Sequence, residues 1–240
     1  VRNFHVNSSL PRSGSELMQA LLAQHPEVYA SATSPLLEYQ FAAHGNFTMA
    51  EVKSQEPKGM HNAFVNFCRY GTRGYYEALT DKPTVVDKSR GWIQYAENLW
   101  AMYPDAKIIA MVRDPEDIVK SLERIYQEFN GHPETRHLPN TAAQRRAFWL
   151  HPDSKPLGLA LTRFKERRAK GNDSRIAYVD YNALCSNPVD MMQNVFAHLE
   201  LESYTIDPEH VVKAVAEDDS HFGIFGRHKL RPVVSASHLI

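Results

Sequence analysis

The stretch Phe4-His5-Val6-Asn7-Ser8-Ser9-Leu10-Pro11-Arg12-Ser13-Gly14-Ser15-Glu16 runs from a short apolar strand pattern into a turn rich in serine. Beyond it, Leu17, Met18, Leu21 and Leu22 recur at helical spacing. A strand that feeds a helix through such a turn gathers backbone N–H groups and the positive helix end around one point at a sheet edge, which makes an anion site. Gly14 lets the backbone approach a ligand, the hydroxyls of Ser13 and Ser15 can donate to phosphate oxygens, and Arg12 supplies a fixed charge. Taken alone, the segment reads equally well as a serine-capped helix after a strand. It lacks the first glycine and the lysine of G-x-x-x-x-G-K-[ST], which disfavours an ordinary ATP or GTP loop.

Working outward, residues 4–6, 84–86, 107–112 and 175–179 form short apolar or β-branched runs, each leading toward a helical pattern. Ile108-Ile109-Ala110-Met111-Val112 is apolar on both faces, as a strand covered by helices on each side must be. The alternation predicts an α/β fold, a doubly wound parallel sheet sandwiched between helices. Ile118, Val119, Leu122 and Ile125 mark a second helix opened by Pro115, and residues 189–199 a third, opened by Asn187-Pro188. Residues 130–156, rich in Pro, His, Asn and Thr, read in part as a substrate-side loop.

A chain of 240 residues with 43% hydrophobic and 23% charged residues is expected to form one domain spanning 1–240. No apolar run is long enough for a membrane span. The formal net charge of −1 argues against a nucleic acid partner while leaving room for a local basic cleft. Two cysteines, Cys68 and Cys185, suit a reducing compartment, and the first residues lack signal-peptide character, so a cytoplasmic location is expected. The oligomeric state is not legible. The triplets at Asn7, Asn46 and Asn172 read as chance glycosylation matches.

The run at 107–112 ends in Arg113-Asp114-Pro115, and Ser121 follows on the next helix. An arginine at the carboxyl end of a strand and a serine on the following helix mark the crevice where open α/β sheets bind ligands, and both can reach one phosphate. By itself, Arg113 could as well be paired to Asp114 or Glu116.

Together, the 10–15 loop and the Arg113/Ser121 pair resemble the sulfotransferases that use PAPS (3′-phosphoadenylyl sulfate). The resemblance is to the bacterial and phage-type members that are similar to the tyrosylprotein enzymes. His25-Pro26-Glu27-Val28, Asp87-Lys88-Ser89-Arg90-Gly91-Trp92, Tyr181-Asn182-Ala183-Leu184 before Asn187-Pro188, and the late loop 223–232 fit it as well. The resemblance implies a P-loop-like version of the sheet. It also implies transfer of a sulfuryl group from PAPS to a hydroxyl or amine acceptor, leaving PAP, the desulfated nucleotide. Arg12, Ser13, Gly14, Ser15 and Glu16 would then wrap the 5′-phosphosulfate, Arg113 and Ser121 would hold the 3′-phosphate, and Tyr181 would lie near adenine. Lys229 and Arg231 would be further phosphate ligands in a segment folded over the nucleotide. Asn182-Ala183 replaces the family's Glu-Asp, and Glu16 stands where the family carries threonine, with its side chain expected to turn toward Arg12, Lys88 or the acceptor.

Transfer in line at sulfur calls for fixed cations on the leaving phosphate, assigned to Arg12 and Lys88, with no metal. The base is sought among Glu38, Asp87, His228 and Glu16, with Glu38 the nearest in sequence to the family's glutamate. The acceptor could be a small molecule, a glycan or a peptide, and Trp92, Phe129 and Trp149 are candidates to line its pocket. Two alternatives stand beside this reading. One is a kinase or NTPase-like enzyme, and the other is a protein that binds PAP or PAPS without turnover.

Overall fold

The computed structural model describes residues 2–45, 49–171, 173–227 and 230–234. Five parallel strands, β1 (Asn3–Asn7), β2 (Val28–Thr33), β3 (Thr84–Lys88), β4 (Ile108–Val112) and β5 (Ile176–Asp180), lie in the order β2-β3-β1-β4-β5. Each pairing is parallel, with β1 in register from Asn3 against Thr84 to Asn7 against Lys88. β2 is absent from the strand patterns expected from the sequence. Val28, Ala30 and Ser31 are buried and Tyr29 half-buried, an edge-strand pattern too short to stand out as a run.

The two faces of the sheet bury different residues, as the period of two requires. Phe4, Val6, Val85, Ile108 and Ala110 point into one core with Trp92, Ile93, Leu99, Ile118 and Leu122. Val86, Ile109 and Met111 point into the other, with Met18, Leu21, Leu22, Met192, Val195 and Phe196. The second face is covered by α1 (Ser15–Leu22) and, after the short α9 (Tyr181–Ser186), by α10 (Pro188–His198). The first face is covered by α4 (Pro57–Glu77), α5 (Ala96–Met102), α6 (Pro115–Glu128), α7 (Ala142–Leu150) and α8 (Gly158–Ala169). Before α4 come α2 (Leu36–Gly45) and the one-turn α3 (Ala50–Lys53).

Local chemistry sets the helix starts. Pro115 opens α6 while the Asp114 carboxylate accepts from the Glu116 N–H at 2.8 Å, and Asp180 accepts from the Ala183 N–H at 2.9 Å to open α9. The stretch 130–156, expected in part as a loop, contains α7. Its anchor is the buried Arg145, whose guanidinium pairs with Glu123, donates to the Pro139 and Asn140 carbonyls, and stacks over Tyr126 at 3.7 Å. Trp92 and Trp149 are fully buried core residues, so neither lines an acceptor pocket.

His5 sits in β1 with 5% of its surface exposed, and its Nδ1 accepts from the Lys107 N–H at 3.0 Å. Burial, then the nearby charges of His198 and Lys107, push its pKa from 6.5 down to about 4, against a small opposing pull from Glu200. Its folded pKa lies below the unfolded one, so protonation favours the unfolded chain: the imidazole costs nothing at neutral pH and destabilises as pH falls from about 6.5 toward 4. A shift of this size corresponds to roughly 3 kcal/mol. His198, lowered by its own burial, acts in the same direction. The urea midpoint is therefore expected to drop between pH 7 and pH 4.5, and His5→Asn, which keeps an acceptor for Lys107, should flatten most of that drop.

Candidate functional site

β1 does not stop at Asn7. The Ser8 N–H donates to the Ile109 carbonyl at 2.8 Å and the Leu10 N–H to that of Met111 at 3.1 Å, so the chain stays bound to β4 until the turn. The Ser13 hydroxyl is fully buried and donates toward the Leu10 and Met111 carbonyls, at 2.6 and 3.1 Å. It therefore braces the loop from beneath and is not turned toward a ligand. Arg12 and Gly14 both take positive φ, 56° and 90°, and Gly14 is the residue that caps α1. A β-carbon on Gly14 would stand 2.5 Å from Cδ2 of Tyr181, so the phosphate-type loop and the first residue of α9 fit only because position 14 has no side chain.

Above the loop lies a cleft of about 300 Å³ at the carboxyl ends of β1 and β4, where the strand order reverses. Arg12, Arg113, Arg124 and Arg231 line it with Ser15, Glu16, Ser121 and Tyr181. Arg12 Nε donates to Ser121 Oγ at 3.3 Å, its Nη1 to the Arg227 carbonyl at 2.7 Å, and Arg113 Nη1 to the Arg12 carbonyl at 3.2 Å. The Arg113 guanidinium also lies over the Tyr181 ring at 4.5 Å. Its Nε is buried and has no hydrogen-bond partner among the described residues. Burial, then the charges of Arg113 and Arg124, depress the Arg12 pKa. These are the marks of a cleft that holds cations together for an anion. Burial raises the Tyr181 phenol, which stays neutral there.

The structure thus brings Arg12, Gly14, Ser15, Glu16, Arg113, Ser121, Tyr181 and Arg231 to one cleft. His228 and Lys229 lie outside the described residues. Arg124 is not among the residues expected from the sequence, although it stands three residues after Ser121, on the same face of the helix.

Behind the loop, Lys88 at the end of β3 is buried and ion-paired to Glu16, which resolves where the Glu16 side chain turns. A second carboxylate also faces Lys88: Glu217 Oε2 stands 3.7 Å from Lys88 Nζ, and Glu217 Oε1 accepts from the Thr33 N–H at 3.0 Å. Nothing in the sequence signals Glu217, which comes from a late segment without regular structure. Two of the other expected bases are placed away from this cluster. Glu38 is exposed on α2, because Leu36 and Leu37 take the inner face of that helix. Asp87 is wholly buried, accepts from Tyr76 and from Trp92 Nε1 at 2.5 Å, and has its pKa raised by burial, so it organises the core beneath Lys88. Among the described residues, no cluster of three or more His, Cys, Asp or Glu is arranged to hold a metal ion, and no helix is long and apolar enough to cross a membrane.

Comparison with known proteins converges on one family. Residues 8–205 match the model of the Sulfotransferase family. The chain is 29% identical over 129 residues to Nodulation protein NoeE of Sinorhizobium fredii, covering 48% of this chain and 29% of that protein. In structure it is similar to the sulfotransferase domain from the curacin biosynthetic pathway (TM-score 0.57, 15% identity, 100% of this chain and 86% of that one). It is also similar to a sulfotransferase from Alicyclobacillus acidocaldarius (TM-score 0.55, 17% identity, 86% and 84%). A third is the sulfotransferase domain of the Synechococcus PCC 7002 olefin synthase (TM-score 0.53, 17% identity, 84% and 74%). With a five-stranded parallel sheet shared with these structures and a family match running from the anion loop to beyond α10, the chain belongs to the Sulfotransferase family.

Proposed function

We propose that the chain is a PAPS-dependent sulfotransferase that moves the sulfuryl group to a hydroxyl or amine acceptor and releases PAP. The observation that carries this is the convergence of Arg12, Arg113 and Arg124 with Ser121 on one cleft at the start of α1, with Arg113 Nε left without an acceptor among the described residues. A nucleotide with phosphates at both 5′ and 3′ positions supplies anions to both ends of such a cleft. The backbone of residues 12–16 and the α1 N-terminus receive the 5′-phosphosulfate, and Arg113 with Ser121 receives the 3′-phosphate. Tyr181, packed on Gly14 and Arg113, offers an aromatic face to the adenine side. Arg231 adds a further cation from the late segment.

In the chemical step the bond from sulfur to the bridging oxygen breaks, and charge grows on the 5′-phosphate. Arg12 and Lys88 neutralise it, and their positions are fixed before the reaction by the Arg227 carbonyl and by Glu16. The acceptor is a small molecule, glycan or peptide. A second reading, nucleotide binding without turnover, is favoured by one observation: Lys88 is held between two carboxylates. Incubation with labelled PAPS and a panel of phenols, alcohols, glycans and tyrosine peptides separates the two, since that reading gives a bound nucleotide and no labelled product.

The binding assignment is tested by calorimetry. Arg113→Ala is expected to weaken PAP by about 10- to 100-fold, the range for losing charged hydrogen bonds. Binding of adenosine 5′-phosphosulfate, which has no 3′-phosphate, should change by less than about threefold. Tight ATP-magnesium binding with no PAP binding would overturn the assignment in favour of an NTPase-like enzyme. Gly14→Ala places a methyl against Tyr181 at a left-handed position costing about 1–2 kcal/mol. Both the melting temperature and PAP affinity should fall, and adding Tyr181→Ala should recover part of the melting temperature and none of the affinity.

A further inference from the structure

The Glu16, Lys88 and Glu217 side chains form a buried cluster of two carboxylates around one ammonium, exposed by 9%, 7% and 7%. A second ammonium, Lys213, bound to Asp219 at 2.8 Å, also stands near both carboxylates, so the two are told apart by which carboxylate oxygen is left without a donor. The contacts identify that oxygen. Glu16 is bonded directly to Lys88 and stands in the first turn of α1, where the helix end favours a carboxylate. Glu217 Oε1 is occupied by the Thr33 N–H. Glu217 Oε2 is buried, lies beyond hydrogen-bond distance of Lys88, and has no donor among the described residues. A buried carboxylate oxygen left without a donor is costly, and such atoms call for a missing partner.

We infer that this missing partner is the acceptor itself: Glu217 Oε2 receives the hydroxyl or amine proton and is the base of the transfer. The assignment rests on the PAPS reading above. An acceptor X–H donates to Glu217 Oε2 while its X atom faces the sulfur beside Lys88. The X–S bond forms, the sulfur–bridging oxygen bond breaks with its electron pair passing to the 5′-phosphate of PAP, and the proton passes to Glu217. Lys88 meets the charge on the leaving oxygen. Glu16 anchors Lys88 and is a positioning residue. This role also accounts for Glu217 being held on both sides, by the backbone of β2 through Thr33 and by Lys88 of β3, so that a residue from the irregular late segment is placed as firmly as one on the sheet.

The test is Glu217→Gln, which keeps an oxygen to accept from the Thr33 N–H and removes the basic oxygen. PAP and PAPS binding, read by calorimetry, and the melting temperature should stay near wild type. Two transfer readouts follow, both in single turnover from labelled PAPS: release of free sulfate, with water as acceptor, and sulfation of a phenol series from 4-methylphenol to 4-nitrophenol. The variant should slow sulfate release, and it should slow sulfation of 4-methylphenol by about 10²- to 10⁴-fold, the usual worth of a general base. The loss should shrink steadily toward 4-nitrophenol, which ionises without help. Glu217→Asp should recover part of the rate. Glu16→Gln should keep the wild-type dependence on phenol acidity. Equal losses along the series, no loss at all, or a flat series only in Glu16→Gln overturns the assignment while leaving PAPS use intact. A wild type that does not bind PAP overturns the reading of the cofactor instead.

Discussion

Like charges are held together in this fold where they would otherwise drive apart. Arg12, Arg113 and Arg124 border one small cleft, and burial together with its two neighbours lowers the Arg12 pKa. Backbone oxygens and one ring hold them in place. The Arg12 carbonyl accepts from Arg113, the Arg227 carbonyl accepts from Arg12, and Tyr181 lies beneath the Arg113 guanidinium. Carbonyls and a ring face satisfy a guanidinium without cancelling its charge, so Arg12 and Arg113 keep theirs in a cleft that Glu16 and Glu128 also line. β1, β4, α1 and α9 must end where they do for this to work, and the strand order that places β1 between β3 and β4 is what makes them end together.

Lys88 presents the opposite arrangement a short distance behind. Its ammonium faces two carboxylates, Glu16 and Glu217, whereas Arg12 and Arg113 are met by backbone carbonyls and a ring. Glu16, the residue in the loop that fits the family pattern least, borders the arginine-lined cleft from the first turn of α1 while its carboxylate pairs with Lys88 behind it.

What could be read from the sequence was what depends on neighbours in the chain. The apolar run at Ile108–Val112, the turn from Ser8 to Glu16 and the stripe of Ile118, Val119, Leu122 and Ile125 carry their periodicity locally, and the parallel sheet follows from them. Arg113 and Ser121 were legible because one strand and one helix place both. β2 was not, since a six-residue edge strand with exposed Thr33 has too little pattern to be seen. Nor was α7, whose stability comes from the pairing of Arg145 with Glu123 on another helix. Glu217 was hidden for the same reason: it is joined to Lys88 and Thr33 only by the folded path of the chain. Glu38 shows the converse error, since nearness in sequence to a family position put forward a residue that the helix turns toward solvent.

The contact between Gly14 and Tyr181 has a consequence for how such a chain can change over time. The ring of Tyr181 occupies the volume that any side chain at position 14 would need, so the two positions, in the first helix turn and just after the last strand, are one steric unit. A substitution at either one alters the floor of the cleft and the seat of Arg113 at once. Drift at one must be matched at the other before it is neutral. The turn after β1 and the turn after β5 are thus tied together by a space too small for a single methyl group.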